Sequence, residues 1–335
     1  MRAARYSEYG AGIDIVELPD PHVPPDGVVV RVEATGVCRS DWHAWQGQDG
    51  DVSLPHVPGH EFAGTVVEAG GAVTTLRPGV RVVVPFILGC GDCSWCVSGA
   101  AQLCPSQLQP GFHLPGSFAE LVAVPRADFN VVPLPPEVTF AAAAALGCRF
   151  ATAWRALIEQ GGLGEGQRLV VFGCGGVGLA AIQIALASGA SVTAIDPSAA
   201  ARSRAESLGA STQAGPPRDS AAFDLALDAI GHHDVAAAGL GVLRPGGKLL
   251  QVGILGGAGS AEIPLNRLMR NELEIIGSHG MAAAGFPELI SLVASRRLDP
   301  AALVTDRVEL ATGIDHLRHM PQRPGRVVLI EELAH

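Results

Sequence analysis

Lysine is nearly absent. Lys248 is the one lysine among 23 basic side chains, and 33 acidic residues leave a net charge of −10. So anionic a chain is a poor match to nucleic-acid backbones or anionic membrane surfaces. Aromatic residues are also scarce, at 5%, which argues against an aromatic-cored β-sandwich. The 42 glycines suit the tight turns and close packing of an α/β fold. With 17% charged and 48% hydrophobic residues, the chain is too apolar to be disordered. Its 335 residues correspond to two domains at ~150 residues each. Met1 to Leu18 has no continuous apolar stretch, so no secretory signal is expected and the cytosol is the default compartment. There, seven cysteines point to metal binding or redox work rather than to disulfides, and an odd number cannot pair completely within one chain.

From Leu169 to Ile195 no residue is charged, a length that by itself matches a membrane span. Gly173, Gly175, Gly176, Gly178 and Gly189 interrupt it, and its apolar residues divide into a β-branched run, a glycine turn, an Ala/Ile/Leu helix and another short run. A buried strand–helix–strand unit explains this division better.

The first ~145 residues read as β-rich. Strand-like runs at Val28–Val32, Gly64–Glu68 and Arg81–Pro85 are bounded by turns such as Pro24–Gly27 and Arg77–Gly79. From about Phe150 helical and strand patterns alternate. A helix is predicted at Ala151–Glu159, strands at Leu169–Phe172, Ser191–Asp196, Asp224–Ala229, Lys248–Gly253 and Leu273–Gly277, and helices at Leu179–Ala187, Ala199–Leu208 and Val235–Leu243. Such alternation implies a parallel sheet with right-handed crossovers. Two amphipathic helices, Pro287–Ser295 and Thr312–His319, and a strand at Arg326–Ile330 complete the chain.

Val170–Phe172 runs into Gly173-Cys174-Gly175-Gly176-Val177-Gly178, a G-x-G-x-x-G after a strand and opening a helix. The first glycine allows the turn, the second lets a pyrophosphate approach the backbone, and the third lets helix and strand pack closely. The helix N-terminus offers amide donors to phosphate. Asp196, at the end of the next strand, suits the adenosine ribose hydroxyls and repels a 2′-phosphate, so NAD is expected rather than NADP.

Cys90, Cys93, Cys96 and Cys104 fall within fifteen positions of a Gly/Ser-rich loop. Four thiolates this close wrap one tetrahedral Zn²⁺ with no open position, and the spacing alone also suits iron. Cys174 reads as a small apolar filler. Cys38, His60 and Cys148 are far apart in sequence, and spacing cannot bring them together. His113, His232, His233, His316 and His319 read as surface or turn residues.

The chain resembles the zinc-dependent alcohol dehydrogenases of the medium-chain dehydrogenase/reductase superfamily. The resemblance rests on G-V-C-R-S-D-W-H-A-W from Gly36, G-H-E-F-A-G from Gly59, the four-cysteine spacing and G-S-F-A-E from Gly116. It continues in G-C-R-F-A-T-A-W from Gly147, G-C-G-G-V-G from Gly173 and R-P-G-G-K from Arg244. It implies a partly open, GroES-like β-barrel catalytic domain from residues 1–149 and 280–335, and a Rossmann doubly wound parallel sheet from residues 150–279. It further implies that Cys38, His60 and Cys148 ligate a catalytic Zn²⁺, with Asp41 on the far nitrogen of His60 and Glu61 behind the metal as a supporting carboxylate or transient ligand. The four-cysteine site then holds a second, structural Zn²⁺. Ser40 and His43 match the family's proton-relay positions, and Arg39 and Arg326 its pyrophosphate-binding ones. Thr152, Val177 and Val252 fall at cofactor-lining positions. Trp42, Trp45, Phe86, Ile254 and His279 fall where substrate-lining side chains occur.

The activity implied is NAD(H)-dependent interconversion of a small alcohol with its aldehyde or ketone, in a dimer or tetramer that needs neither membrane nor nucleic acid. A reductase of activated C=C or C=N bonds, with zinc only structural, would share the fold. So would a non-catalytic cofactor-binding protein.

Overall fold

A computed structural model describes residues 1–216, 222–255, 259–323 and 325–333. The chain divides into two compact units, Met1–Ala151 with Gly280–His335, and Thr152–His279.

The first unit opens with β1 (Arg2–Arg5) and β2 (Asp14–Glu17), paired antiparallel. Gly27 closes the predicted turn by donating its N–H to the Pro24 carbonyl at 3.0 Å, and β3 (Val28–Gly36) follows. Next come β4 (Glu61–Ala69), β5 (Arg81–Val84), β6 (Leu121–Val124) and β7 (Val132–Pro133). β3 and β4 are longer than their apolar runs. Polar and small residues at their ends are carried into the ladder by pairing, the register running from Val28 opposite Ala69 to Gly36 opposite Glu61.

The second unit is a six-stranded parallel sheet of β8 (Arg168–Phe172), β9 (Ser191–Ile195), β10 (Ser211–Gln213), β11 (Phe223–Asp228), β12 (Leu243–Gln251) and β13 (Glu274–Gly277). Its order, β10-β9-β8-β11-β12-β13, is the doubly wound arrangement. Helices cover both faces of such a sheet, so its central strands are continuous apolar runs rather than alternating ones. This accounts for the charge-free stretch: β8, the helix Gly176–Ala187 and β9, with Leu179, Ile182 and Ile184 fully buried. Burying each of these side chains contributes roughly 1.5–3 kcal/mol. Among the described residues no helix is long and apolar enough to cross a membrane. β10 has no counterpart in the predicted elements, because Ser-Thr-Gln at a sheet edge carries no apolar signal.

Back in the first unit, β14 (Asp306–Glu309) and β15 (Val328–Glu332) extend the main sheet, ordered β14-β15-β3-β4-β5-β7 with β6 also on β3. Its core gathers Val30, Phe62, Val84, Phe118 and Ile330. The helix Leu310–Arg318 buries Leu310, Ile314 and Leu317 against it. His316 is buried on the same helix, which corrects its reading as a surface residue.

Candidate active site

The end of β3 and the start of β4 create the first cluster. Gly36 pairs with Glu61 and, on its other side, with Leu329 of β15. Cys38 lies two residues beyond β3 and His60 one residue before β4. Cys38 is the N-cap of the helix Arg39–Trp45, and Asp41 in its first turn accepts the Cys38 backbone N–H at 2.9 Å. The other oxygen of Asp41 accepts the Gly59 N–H at 3.2 Å and His60 Nδ1 at 2.8 Å. One carboxylate, fully buried, thus ties the helix to the loop that carries the histidine. Cys148 comes from a π-helical turn at Leu146–Phe150 whose Gly147 carbonyl accepts the Phe86 N–H at 3.2 Å. Single π turns recur at functional sites because they re-aim one side chain within a helix.

The result is that one donor atom each from Cys38, His60, Glu61 and Cys148 lies within 4.8 Å of the others. His60 Nε2 is buried and has no hydrogen-bond partner. Burial works against a charged His60, but Asp41 outweighs it, with help from Cys38, and holds the imidazole well above its ordinary pKa. The Cys38 thiol is held well below its ordinary value, first by the Cys148 thiol and then, against burial, by His60; Cys148 is correspondingly pushed up. Once a metal displaces the Nε2 proton, two adjacent sulfurs and a ring nitrogen with no other partner suit a cation in their midst. This donor set fits Zn²⁺, which takes thiolate sulfur, imidazole nitrogen and carboxylate oxygen.

Glu61 is fully buried and does not stand alone. Arg149 Nε donates to its Oε1 at 3.0 Å, Nη2 lies 2.6 Å from Oε2, and Nη2 also donates to the Val37 carbonyl at 2.9 Å. Burial lifts the Glu61 carboxyl above its usual value while Arg149 opposes it. Sequence reasoning passed over Arg149, although it is the one charged residue between Glu137 and Arg155. Phe112 was also missed. Its ring centroid lies 5.2 Å from that of His60, and Phe86 stands edge-on at 5.9 Å.

The remaining predicted residues of this unit are more dispersed. Ser40 and His43 occupy the helix Arg39–Trp45 three positions apart, with His43 Nδ1 on Gln48 Oε1. The Arg39 guanidinium sits 5.7 Å over the Trp42 ring. Trp42 is half-buried against the core. Trp45, expected among the substrate-lining rings, is a core side chain whose indole N–H is taken by the Ala11 carbonyl at 3.0 Å. Arg326, expected on pyrophosphate, is held by both carboxylate oxygens of Asp306 at 2.6 and 2.8 Å.

The four clustered cysteines also meet, one sulfur from each within 4.8 Å of the rest. They lie around a short helix, Ser94–Val97, and the turn Ala101–Leu103. Their lobe has little core of its own, with Cys96, Cys104, Ala101 and Ala282 as its buried members. All seven cysteines of the chain are free thiols. The backbone N–H of Cys96 lowers Cys93 to about 7, which favours the thiolate that a metal needs.

In the second unit the glycine loop and Asp196 come together. Asp196 Oδ2 accepts the Cys174 N–H at 2.9 Å and Oδ1 the Ser198 N–H at 2.8 Å. A Cβ on Gly178 would overlap the Gly173 carbonyl oxygen, so only glycine lets this helix start so close to β8. Gly175 is exposed and Val177 half-buried at the head of that helix. Arg202 donates to the backbone carbonyls of Asp196 and Pro197 at 2.7 and 2.9 Å. Thr152 Oγ1 is buried without a hydrogen-bond partner, and the Val252 N–H goes to the Asp228 carbonyl at 3.1 Å. Ile254 and His279 are exposed side chains of this unit.

Comparison with known proteins places these sites in context. Residues 24–136 match the alcohol dehydrogenase GroES-like domain, and residues 176–295 the zinc-binding dehydrogenase domain. An alcohol dehydrogenase of Geobacillus stearothermophilus is 33% identical over 290 residues, 83% of this chain and 84% of that one. An NAD-dependent alcohol dehydrogenase of Sulfurisphaera tokodaii is 31% identical over 98% of this chain and 100% of its own length. The solved structure of an alcohol dehydrogenase from Thermus sp. ATN1 superposes with a TM-score of 0.91 at 31% identity, covering 99% of this chain and 100% of that one.

Proposed function

Because the chain belongs to the zinc-dependent alcohol dehydrogenases of the medium-chain dehydrogenase/reductase superfamily, we propose that it interconverts a small alcohol and its aldehyde or ketone with NAD(H), using one catalytic and one structural zinc. It is an oxidoreductase of the alcohol dehydrogenase family. The observation that carries the finer reading is the trio of half-buried Cys38 with buried His60 and Cys148, in which Asp41 occupies one nitrogen of the imidazole and leaves the other without a partner.

In this reading Cys38, His60 and Cys148 hold the catalytic ion, and Cys90, Cys93, Cys96 and Cys104 the structural one. When bound, the catalytic zinc supplies Lewis-acid stabilisation of negative charge on the substrate oxygen, and NAD supplies the hydride acceptor. Asp41 fixes the His60 tautomer so that Nε2 offers a lone pair. Phe86 and Phe112 pack around His60, restrict water and favour apolar substrates. Ser40 and His43, neighbours on one helix face, carry the released proton toward solvent, the hydroxyl passing it on to the imidazole. The amides at Gly173–Gly178 receive the diphosphate, with Arg39 adding positive charge. Asp196 takes the adenosine ribose and selects NAD over NADP. Thr152, Val177 and Val252 line the nicotinamide side.

We assign the catalytic role to the unit of residues 1–151 and 280–335 and cofactor binding to residues 152–279. The unpaired thiols suit the cytosol. The edge strand β13 with its exposed Ile275, and the neighbouring exposed Leu265 and Met269, suit a homo-oligomer.

The deciding experiment combines metal analysis with NADH absorbance across a panel of primary and secondary alcohols. Two zinc ions per chain and turnover with NAD are expected. His60→Ala should keep one zinc and lose activity on the order of a thousandfold, matching several kcal/mol of lost charge stabilisation. Turnover that survives in this variant would instead favour reduction of an activated C=C or C=N bond with zinc only structural.

A further inference from the structure

The ion pair behind the trio has a geometry that a merely structural buried pair does not require. Glu61 presents a carboxylate oxygen within 4.8 Å of the donor atoms of Cys38, His60 and Cys148. It is therefore close enough to complete a four-ligand set. Arg149 Nε donates to Oε1 at 3.0 Å, while Oε2 lies 2.6 Å from Nη2 but takes no hydrogen bond, Nη2 donating instead to the Val37 carbonyl at 2.9 Å, one residue before Cys38. Space for the pair is built into the backbone. A Cβ on Gly36 would overlap Glu61 Oε2 and crowd Arg149 Nη2 at 2.9 Å, so glycine at the end of β3 is what admits both groups. Both side chains are buried, at 0% and 6% exposure, so water cannot substitute for either partner.

Charge explains what the pair does. Two thiolates already match a divalent cation, and Glu61 adds a further negative charge that Arg149 offsets. Without Arg149 the buried carboxylate has one strong cationic partner left within reach, the metal. We propose that Arg149 is a positioning residue that withholds Glu61 from the Cys38–His60–Cys148 metal and so keeps the fourth coordination position open for substrate. This rests on the metal reading given above.

The test uses the full-length enzyme with cobalt(II) in place of zinc, and imidazole as an external ligand read by the change in the cobalt d–d and sulfur charge-transfer bands. The four-cysteine site has no open position and stays silent. Wild type should bind imidazole. In Arg149→Met, Glu61 closes the site, and imidazole affinity should fall about tenfold or more, in proportion to the fraction of sites left open. The cobalt spectrum should change before any imidazole is added. The double variant Arg149→Met/Glu61→Gln should recover imidazole affinity to within about twofold. Loss of packing alone would not be repaired by a second substitution.

Arg149→Lys keeps a charge but loses the fork that spans Glu61 and the Val37 carbonyl, and its imidazole affinity should fall several-fold. It decides the matter if Arg149→Met does not fold. Unchanged spectra and imidazole affinity in the single variants would overturn the proposal, and so would a double variant that stays impaired. A wild type that takes up one cobalt per chain and gives no imidazole response would instead overturn the metal reading beneath it.

Discussion

His60 Nδ1 and Asp41 Oδ1 are 2.8 Å apart, and neither side chain reaches solvent. A carboxylate only accepts, so Nδ1 carries the proton and Nε2 is the nitrogen left for a metal. Asp41→Asn should weaken that choice of tautomer. Zinc loss to a chromophoric chelator is expected to speed up about 10–100-fold, with a parallel fall in kcat/KM. Wild-type release kinetics in the variant would sever the proposed link between the carboxylate and the metal.

Asp196 should govern cofactor choice. Its side chain meets the glycine loop through the Cys174 N–H. Asp196→Ala removes both that acceptor and the charge that repels a 2′-phosphate. The KM for NAD should rise about tenfold or more, and the preference for NAD over NADP should shrink. Steady-state kinetics with the two cofactors in parallel give the answer, and an unaltered ratio would remove Asp196 from this role.

The cysteine lobe should depend on its ion for folding. Cys104 is buried among Cys96, Ala101 and Ala282, with little other apolar support. Cys104→Ala should reduce zinc from two ions per chain to one and move unfolding of the lobe to lower denaturant concentration, because metal binding energy is folding energy there. Limited proteolysis should then cut first between Cys90 and Cys104. Retention of both ions would contradict a four-thiolate site.

Two buried histidines should make the fold sensitive to mild acid. Burial lowers His56, whose Nε2 meets the Gly111 carbonyl at 2.8 Å, and it lowers His316 as well. With folded values below the unfolded ~6.5, the unfolded chain takes up more protons as pH drops below that point. Their stabilising contribution is therefore complete above about pH 6.5 and declines as pH falls through the lowered folded values. Urea midpoints measured from about pH 7 down to about pH 5 should decrease, and His316→Gln should flatten the decline. An equally steep decline in that variant would assign the effect elsewhere.

Much of the second unit was legible because its signals are local. A β-branched run, a glycine turn and a buried helix lie next to one another in sequence, and β8, the helix Gly176–Ala187 and β9 follow them closely. β10 was not legible, since three polar residues become a strand only by pairing with β9. In the first unit, the packing of Trp45 was not legible. Its ring lies in the core and its indole N–H goes to the Ala11 carbonyl, 34 residues away in sequence.

By itself the sequence determined the chemistry on offer: sulfur and imidazole for a soft divalent ion, amides and a carboxylate for a dinucleotide, and an alternation of elements that only a parallel sheet absorbs. These follow from residue type and short-range spacing. The tertiary structure decided which groups share a site. Cys38, His60, Glu61 and Cys148 meet because β3 and β4 pair with Gly36 against Glu61 and because a π turn brings Cys148 beside them. Arg149 reaches Glu61 across 88 residues of chain. Pairing over such distances is set by burial and register throughout the sheet, and no local pattern encodes it.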